Sequence, residues 1–467
     1  MRGTQLAEVH AFDDAGVTAA LELVTAFDDA FVTGFARLNE ERVGALTALS
    51  GAMAVTPLGE RVAEAVDKVA AGSIADEHLV ALAAARSALL GSVHDALVAG
   101  VDRALGRERA AYEAAPVDGG EEHLNLLAGS RSWLRELAIA GWRGVDHDLV
   151  SAVGQTVTAL LALPAESGPS RRRLAVLLDG LAAELRAASP IATMDKLPKR
   201  RWADLWCRAL LLSQPGQGEP VAAPVSGRLL VLGADVHEHA TAVQVQVHGV
   251  LETGEGARLV RASVSAAKVD TIVGRAVWKL LAQHTMLTQA LAKRVSLTLT
   301  DIPLLPSGDL VWHDDRARPG EPADPFTTAK TMLSAAVAPA APPLQRHPIG
   351  IAEPVLLEHY SVENDLLHRD GGPEEGVRLA FDRLPSSGPL TADLVRKSNA
   401  CVGLLRWDAG AWSVQPLAVR VESKKGDVEY HNGDWALGHP DPKVVKADAK
   451  DDAVGTLRER AGRLLRK

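Results

Sequence analysis

Cysteine is nearly missing from this sequence: 467 residues carry only Cys207 and Cys401. They stand far apart, each among apolar neighbours, which speaks against a disulfide framework and suits buried thiols in a reducing compartment. An excess of positive charge is missing too. With 50 Lys and Arg against 59 Asp and Glu the formal charge is −9, so no global basic field would draw nucleic acid or an anionic membrane. Any such binding would have to be local. No stretch approaches the roughly 18 uncharged apolar residues that a membrane span needs. The first residues reach Glu8, Asp13 and Asp14 without an apolar core segment, so no signal peptide is expected. A cytoplasmic protein without membrane contact is the resulting expectation.

Enzyme signatures are also missing. There is no G-x-x-x-x-G-K-[ST] phosphate loop, H-E-x-x-H, C-x-x-C, G-x-S-x-G or dinucleotide G-x-G-x-x-G. Gly216-Gln217-Gly218 and Gly254-Glu255-Gly256 lie outside any strand-to-helix junction and are read as turns. No cofactor is expected. What is present is 47% hydrophobic residues, enough to fill the cores of two or three domains.

Residues 228–270 mark a change of burial rule. Before them, apolar residues recur at helical spacing: Val17, Leu21, Val24, Phe31 and Phe35 first, and later a long run from Leu79 to Val101 interrupted only by Gly91 and Gly100. Seven or eight helices predict a bundle domain over residues 1–212, an antiparallel bundle being favoured over a solenoid. Within the change of rule, Val243, Val245 and Val247 alternate with Gln244, Gln246 and His248, the period-2 signature of a half-buried strand. A second run over 258–264 follows a glycine-bearing loop, which predicts a hairpin. The 213–226 stretch, with three prolines and two glycines, reads as a linker.

An α+β domain with an antiparallel sheet is predicted over 227–334, with a helix over 274–293 and an OB-type Greek key as one closure of it. A proline-rich linker over 335–349 precedes a small β-rich module over 350–440, where Ala409-Gly410 turns another hairpin between Trp407 and Trp412. A charged tail fills 441–467 and is read as a short solvated helix. The fold class is therefore α+β multidomain: an N-terminal α-helical bundle followed by antiparallel β-containing modules.

Three residue groups carry candidate chemistry. In an extended segment Asp235, His237 and His239 project to one face, so a carboxylate and two imidazoles would converge on a divalent metal. The alternative is a polar strand face; His248, His284, His313, Asp314 and Asp315 are further ligand candidates without a defined spacing. Basic clusters form the second group: Arg171, Arg172 and Arg173, then Lys199, Arg200 and Arg201 beside Trp202 and Trp206, and on the hairpin Arg258, Arg261 and Lys268. They would contact phosphates of nucleic acid. Yet Trp202, Leu205, Trp206, Ala209 and Leu210 share helical spacing, which predicts buried indoles. The third group is Cys401 with His359, His368, His431 or His439, a nucleophile pairing against which a buried structural thiol is favoured. Asp28-Asp29 and Asp314-Asp315 are read as solvated faces.

The run over 195–206 (D-K-L-P-K-R-R-W-A-D-L-W) and the run over 264–274 (V-S-A-A-K-V-D-T-I-V-G) resemble a group of high-GC bacterial proteins. These are encoded near SWIM-type zinc-finger proteins and MoxR-type ATPases with von Willebrand A partners. No catalytic residues carry over. The resemblance implies a non-catalytic binding or scaffold component whose partners are other proteins, among them an ATPase-containing complex. A nucleic-acid binder using an OB-like sheet and a metal-dependent hydrolase at Asp235 are the alternatives.

Overall fold

The computed structural model describes residues 1–12, 15–114, 116–118, 123–163, 169–216, 219–239, 241–424, 426–450, 454, 455 and 459. A run of helices comes first: α1 (Gly3–His10), α2 (Ala15–Phe31), α3 (Glu40–Met53), α4 (Gly59–Ala70), α5 (Asp76–Leu105), α6 (Leu124–Ala140), α7 (His147–Ser151), α8 (Gly154–Leu161), α9 (Pro169–Ala187) and α10 (Lys199–Leu212). The 30-residue α5 is the long helix expected from its leucine stripe. Its N-cap is Ala75, and it ends where Gly106 takes φ 65°, a left-handed cap that suits glycine.

The bundle core is aromatic. Phe31 stacks on Trp142 at 4.3 Å between ring centroids and meets Trp206 edge-on at 4.7 Å, while Trp142 meets Trp202 at 5.5 Å. Both indoles of α10 are buried as their spacing predicts, and Trp206 Nε1 donates to the Leu134 carbonyl at 2.8 Å. Asp28, expected on a solvated face, is instead buried: it accepts from Arg86 Nε at 2.7 Å and Arg200 Nε at 3.0 Å, and Arg86 Nη1 reaches Asp204 at 2.6 Å. This network ties α2, α5 and α10, and a buried guanidinium needs such a complete set of acceptors.

Two β modules follow. The stretch 213–226 is largely paired and is no free linker: β2 (Glu219–Pro220) lies antiparallel to β1 (Val117–Asp118), and β3 (Ala223–Glu238) has already begun. Next come β4 (Ala242–Thr253) and β5 (Gly256–Ala267), the expected hairpin, joined by the two residues Gly254 and Glu255. The helix expected over 274–293 is broken into α11 (Val277–Leu280) and α12 (Thr285–Lys293). The break has a tertiary cause: the Asp314 carboxylate accepts from Met286 N at 3.0 Å, capping a new helix start from outside. After β6 (Val295–Leu304) come β7 (Asp309–Leu310) and β8 (Ala317–Pro322).

The pairings run β3–β4–β5–β7–β6 and return to β3, with β5 and β7 parallel. Five strands in this order, with helices between the third and fourth, have the Greek-key order of the OB type. Only Leu304 and Leu310 pair β6 with β7, so the ring is partly open and no fully closed barrel forms.

After α13 (Pro325–Met332) the second module repeats that order. It contains β9 (Glu353–Glu358), β10 (Tyr360–Glu363), β11 (Leu366–Arg369), β12 (Val377–Leu379), α14 (Ala392–Arg396), β13 (Ser398–Asp408), β14 (Ala411–Val421) and β15 (Val428–His431). His359, at φ 59°, bends β9 into β10, and the pair acts as one first strand. It joins β11 through β10 and β13 through β9, while β12 runs parallel to β14. Ala409 and Gly410 both have positive φ, the two-residue hairpin turn expected there, with Trp407 opposite Trp412. A last helix, α15 (Pro442–Lys450), sends Asp448 to Arg275 at 2.8 Å. The tail cations Arg458, Arg460, Arg463, Arg466 and Lys467 lie outside the described residues.

The outer face of β3, β4 and β5 packs on the second module, Leu230, Leu232, Val250 and Leu259 meeting Leu356, Ala400, Val402 and Ala418 under Phe326 of α13. Gly233 lies so close that an added Cβ would stand 2.7 Å from Leu417 Cβ. The proline-rich 335–349 stretch is not a free linker either. It is laid down as a strap: Leu259 N donates to Val337 O at 3.2 Å, and Arg346 reaches Asp95 of α5 at 2.9 Å.

Candidate binding cavity

The strap closes a cavity of about 570 Å³ where the bundle and both modules meet. The left-handed Gly106 reverses the chain at the end of α5, and this lays Arg107 and Arg109 back over Asp102. Arg107 Nε donates to Asp102 at 2.6 Å and its Nη2 to Glu353 at 2.5 Å; Arg109 Nε donates to Asp102 at 2.8 Å and its Nη2 to Glu353 at 3.0 Å. Two guanidinium groups and two carboxylates thus form a box between α5 and β9. Burial alone would raise both carboxyls, but Arg109 and Arg107 hold Asp102 and Glu353 below the usual carboxylate range. Both stay ionised, so neither is placed to carry a proton at neutral pH.

The opposite wall comes from β4, β5 and the β6–β7 turn. His248, on the polar face of β4, is 2% exposed; burial, then the charge of Arg261, pull its imidazole down to about 3, so it is neutral. Arg261 Nη2 donates to Asp309 at 3.0 Å, and Arg346 lies over the Tyr112 ring at 5.3 Å. The cavity therefore offers hydrogen-bonding groups of fixed charge around an apolar floor.

The Asp-x-His-x-His stretch ends β3. Asp235 and His237 do come together, at 2.9 Å. His239 does not join them: it is exposed beyond the strand. Asp235 is spent on the module interface, accepting from Arg406 Nη2 at 2.5 Å and Gln415 Nε2 at 2.7 Å. Burial would raise its carboxyl, but His237 and Arg406 bring it down to about 2. Three of the roughly four acceptor sites of this carboxylate are thus engaged by Arg406, Gln415 and His237. Among the described residues no three metal-ligating groups gather anywhere, His284, His313, Asp314 and Asp315 included.

The basic clusters are scattered. Arg171 is buried while Arg172 and Arg173 are exposed; Lys199 pairs with Asp29, Arg200 with Asp28, and Arg201 with Glu184. On the hairpin, Arg258 faces Glu255 at 3.6 Å and Lys268 Nζ donates to the Ile272 carbonyl at 2.8 Å. Cys401 is fully buried, burial pushes its thiol up to about 12, and among the described residues His359, His368, His431 and His439 make no hydrogen bond to it. Sequence reasoning passed over the residues of the box. The signal was there in Gly106-Arg107-Glu108-Arg109, two arginines directly after a helix-ending glycine.

The fold defines a class: a helical bundle locked to two successive β modules of OB-like strand order. No known protein family matches the chain, and no curated protein or solved structure matches it.

Proposed function

We propose that this protein is a non-catalytic binding component of a multiprotein system, one rigid body offering its surfaces and its cavity to partners. One observation carries the reading: three buried carboxylates are consumed in joining parts of the fold, Asp102 and Glu353 between the bundle and the second module and Asp235 between the two modules. Asp102 and Glu353 are matched by Arg107 and Arg109, and Asp235 by Arg406. Groups held this way stabilise an assembly but do not cycle protons. The full chain recovered under native conditions from its host should bring the same partner proteins in fixed ratio. Recovery alone at every salt concentration would sink the reading.

A second reading, nucleic-acid binding, is favoured by the OB-like strand order of both modules, since such folds bind oligonucleotides on the second and third strands. Against it, part of that face on β4 and β5 packs on the second module through Val250 and Leu259. Arg261, one of its expected phosphate contacts, is held by Asp309. Fluorescence anisotropy with a single-stranded oligonucleotide decides: this reading expects affinity falling steeply with salt. No binding at low salt removes it.

A further inference from the structure

The strap is a shared wall. Ala338 and Pro339 line both the cavity described above and a second of about 570 Å³ beside the β4–β5 turn, and Arg346 lines both the first cavity and a cleft between α5 and α10. With the strap lifted, the three join in one trough running from β5 across α5 to α10. The strap is held loosely along its length. Ala336 and Pro348 are buried, but every residue between them is half-buried or exposed. Among the described residues its backbone pairs with a strand at one position, Val337 with Arg258, and Pro339, Pro342 and Pro343 have no N–H to pair. The other ties are side chains: Arg109 Nη1 donates to the Ala338 carbonyl at 3.1 Å, Arg346 reaches Asp95 at 2.9 Å, His347 meets Asp204 at 3.2 Å, and Leu344 packs on the bundle core. Segments with so few buried contacts open at a fraction of the cost of global unfolding.

The segment lying in the trough shows what chemistry fits there. The barrel end offers Leu259 N to a backbone carbonyl, and the bundle end offers the carboxylates of Asp95 and Asp204 to cations. Between them Leu90, Val98 and Leu211 form an apolar floor. An extended chain rich in proline suits such a floor, because it leaves few N–H groups unmet and loses little entropy when its conformation is fixed. We propose that the strap is a tethered occupant of a docking trough, which takes an extended proline-rich segment of a partner protein, with a leucine and an arginine near its end, when the strap lifts between Ala336 and Pro348. The proposal rests on the assembly reading and names a surface for it.

A fluorescent peptide with the sequence of residues 337–347 is the probe. Gly91→Cys with Arg346→Cys gives one full chain in two states, since a Cβ on Gly91 would stand 3.6 Å from Arg346 Cβ, within disulfide range. Reduced, this chain has lost the Arg346 tie, and the peptide, which keeps its arginine, should bind about tenfold tighter than to the unaltered chain by anisotropy. Oxidised, the strap is pinned to α5, so binding should vanish and return on reduction. Leu344→Ala with Arg346→Ala serves as the loosened chain where the disulfide does not close, and adding Asp95→Ala to it should weaken the peptide several-fold. No binding to a loosened chain that remains folded, equal binding of a scrambled peptide, or binding that survives oxidation would each overturn the proposal. Partner proteins recovered by the full chain, with no peptide bound by the loosened one, would remove this trough and leave the assembly reading standing.

Discussion

The first β module sets Trp278, Leu281, Leu287 and Leu291 of its own helical segment onto Val243, Val245, Leu297 and Leu299, and so encloses a core of its own. The second has the same strand order, yet only the five-residue α14 stands at the equivalent place. Its interior, with Val355, Leu357, Val377 and Val414, runs without a break into the apolar cluster of the bundle. The junction is close: an added Cβ on Gly3 of α1 would stand 2.0 Å from the Asp370 carbonyl oxygen. One strand order is thus completed in two ways, by a helix within the module or by a neighbouring domain. The second module should depend on the bundle for its stability, and the first should depend mainly on itself.

The sharpest way to break this arrangement is at the salt bridge between modules. Arg406→Ala leaves Asp235 buried and without its cation, and should cost about 3–5 kcal/mol in urea unfolding. Replacing both residues by apolar ones of similar volume should recover most of that loss; a double variant as weak as the single one would show that the ion pair itself is not what matters. Gly233→Ala comes next. Its Cβ would press on Leu417 across the same interface, for an expected loss of about 1–3 kcal/mol. An unchanged melting temperature would mean that the modules part easily at this point.

Acid should act more gradually. His248 is neutral in the folded protein down to about pH 3 but takes a proton near 6.5 when unfolded. The unfolded chain then binds more protons, so the stability His248 contributes is full above pH 6.5 and declines as pH falls toward 3. Asp235 adds a second loss: its folded value near 2 lies below the ordinary 3.8, so its contribution is present above 3.8 and disappears as pH approaches 2. Histidine NMR should find the His248 ring uncharged at pH 5. A protonated ring there would contradict its burial.

The smallest effect is on reactivity. Cys207 lies in the bundle and Cys401 in the second module, within one continuous core, and burial pushes both thiols up to about 12. Neither should react with a thiol reagent in the native protein, and both should become reactive in the same urea transition. Labelling of Cys401 while Cys207 stays protected would show that the second module opens alone.

The valine alternation of β4, the indole stripe of α10 and the Ala409-Gly410 turn were legible because each is set by neighbours in sequence. The broken helix was not, since Asp314 supplies its cap from 28 residues away. The partners of the two proline-bearing stretches were not legible for a related reason. Proline and glycine report the chain's local preference, and β2 and the strap find their partners in β1, α5 and β5. Of the Asp235 stretch only Asp235 and His237 share the strand, His239 lying beyond its end, and the cation that Asp235 faces comes from β13, 171 residues later. The cavity was hidden most completely, because its two walls have no pattern in common until the strap joins them.

The strap has a bearing on how this protein can be altered. A connector with this composition is where an engineer would splice in a tag, a reporter or extra length. Here Val337 is stitched to Leu259 and Arg346 to Asp95, so an insertion would tear out part of the chamber wall and provide no slack between the modules. Extra sequence is better carried at the Gly254-Glu255 turn, where an added Cβ on Gly254 meets no neighbour.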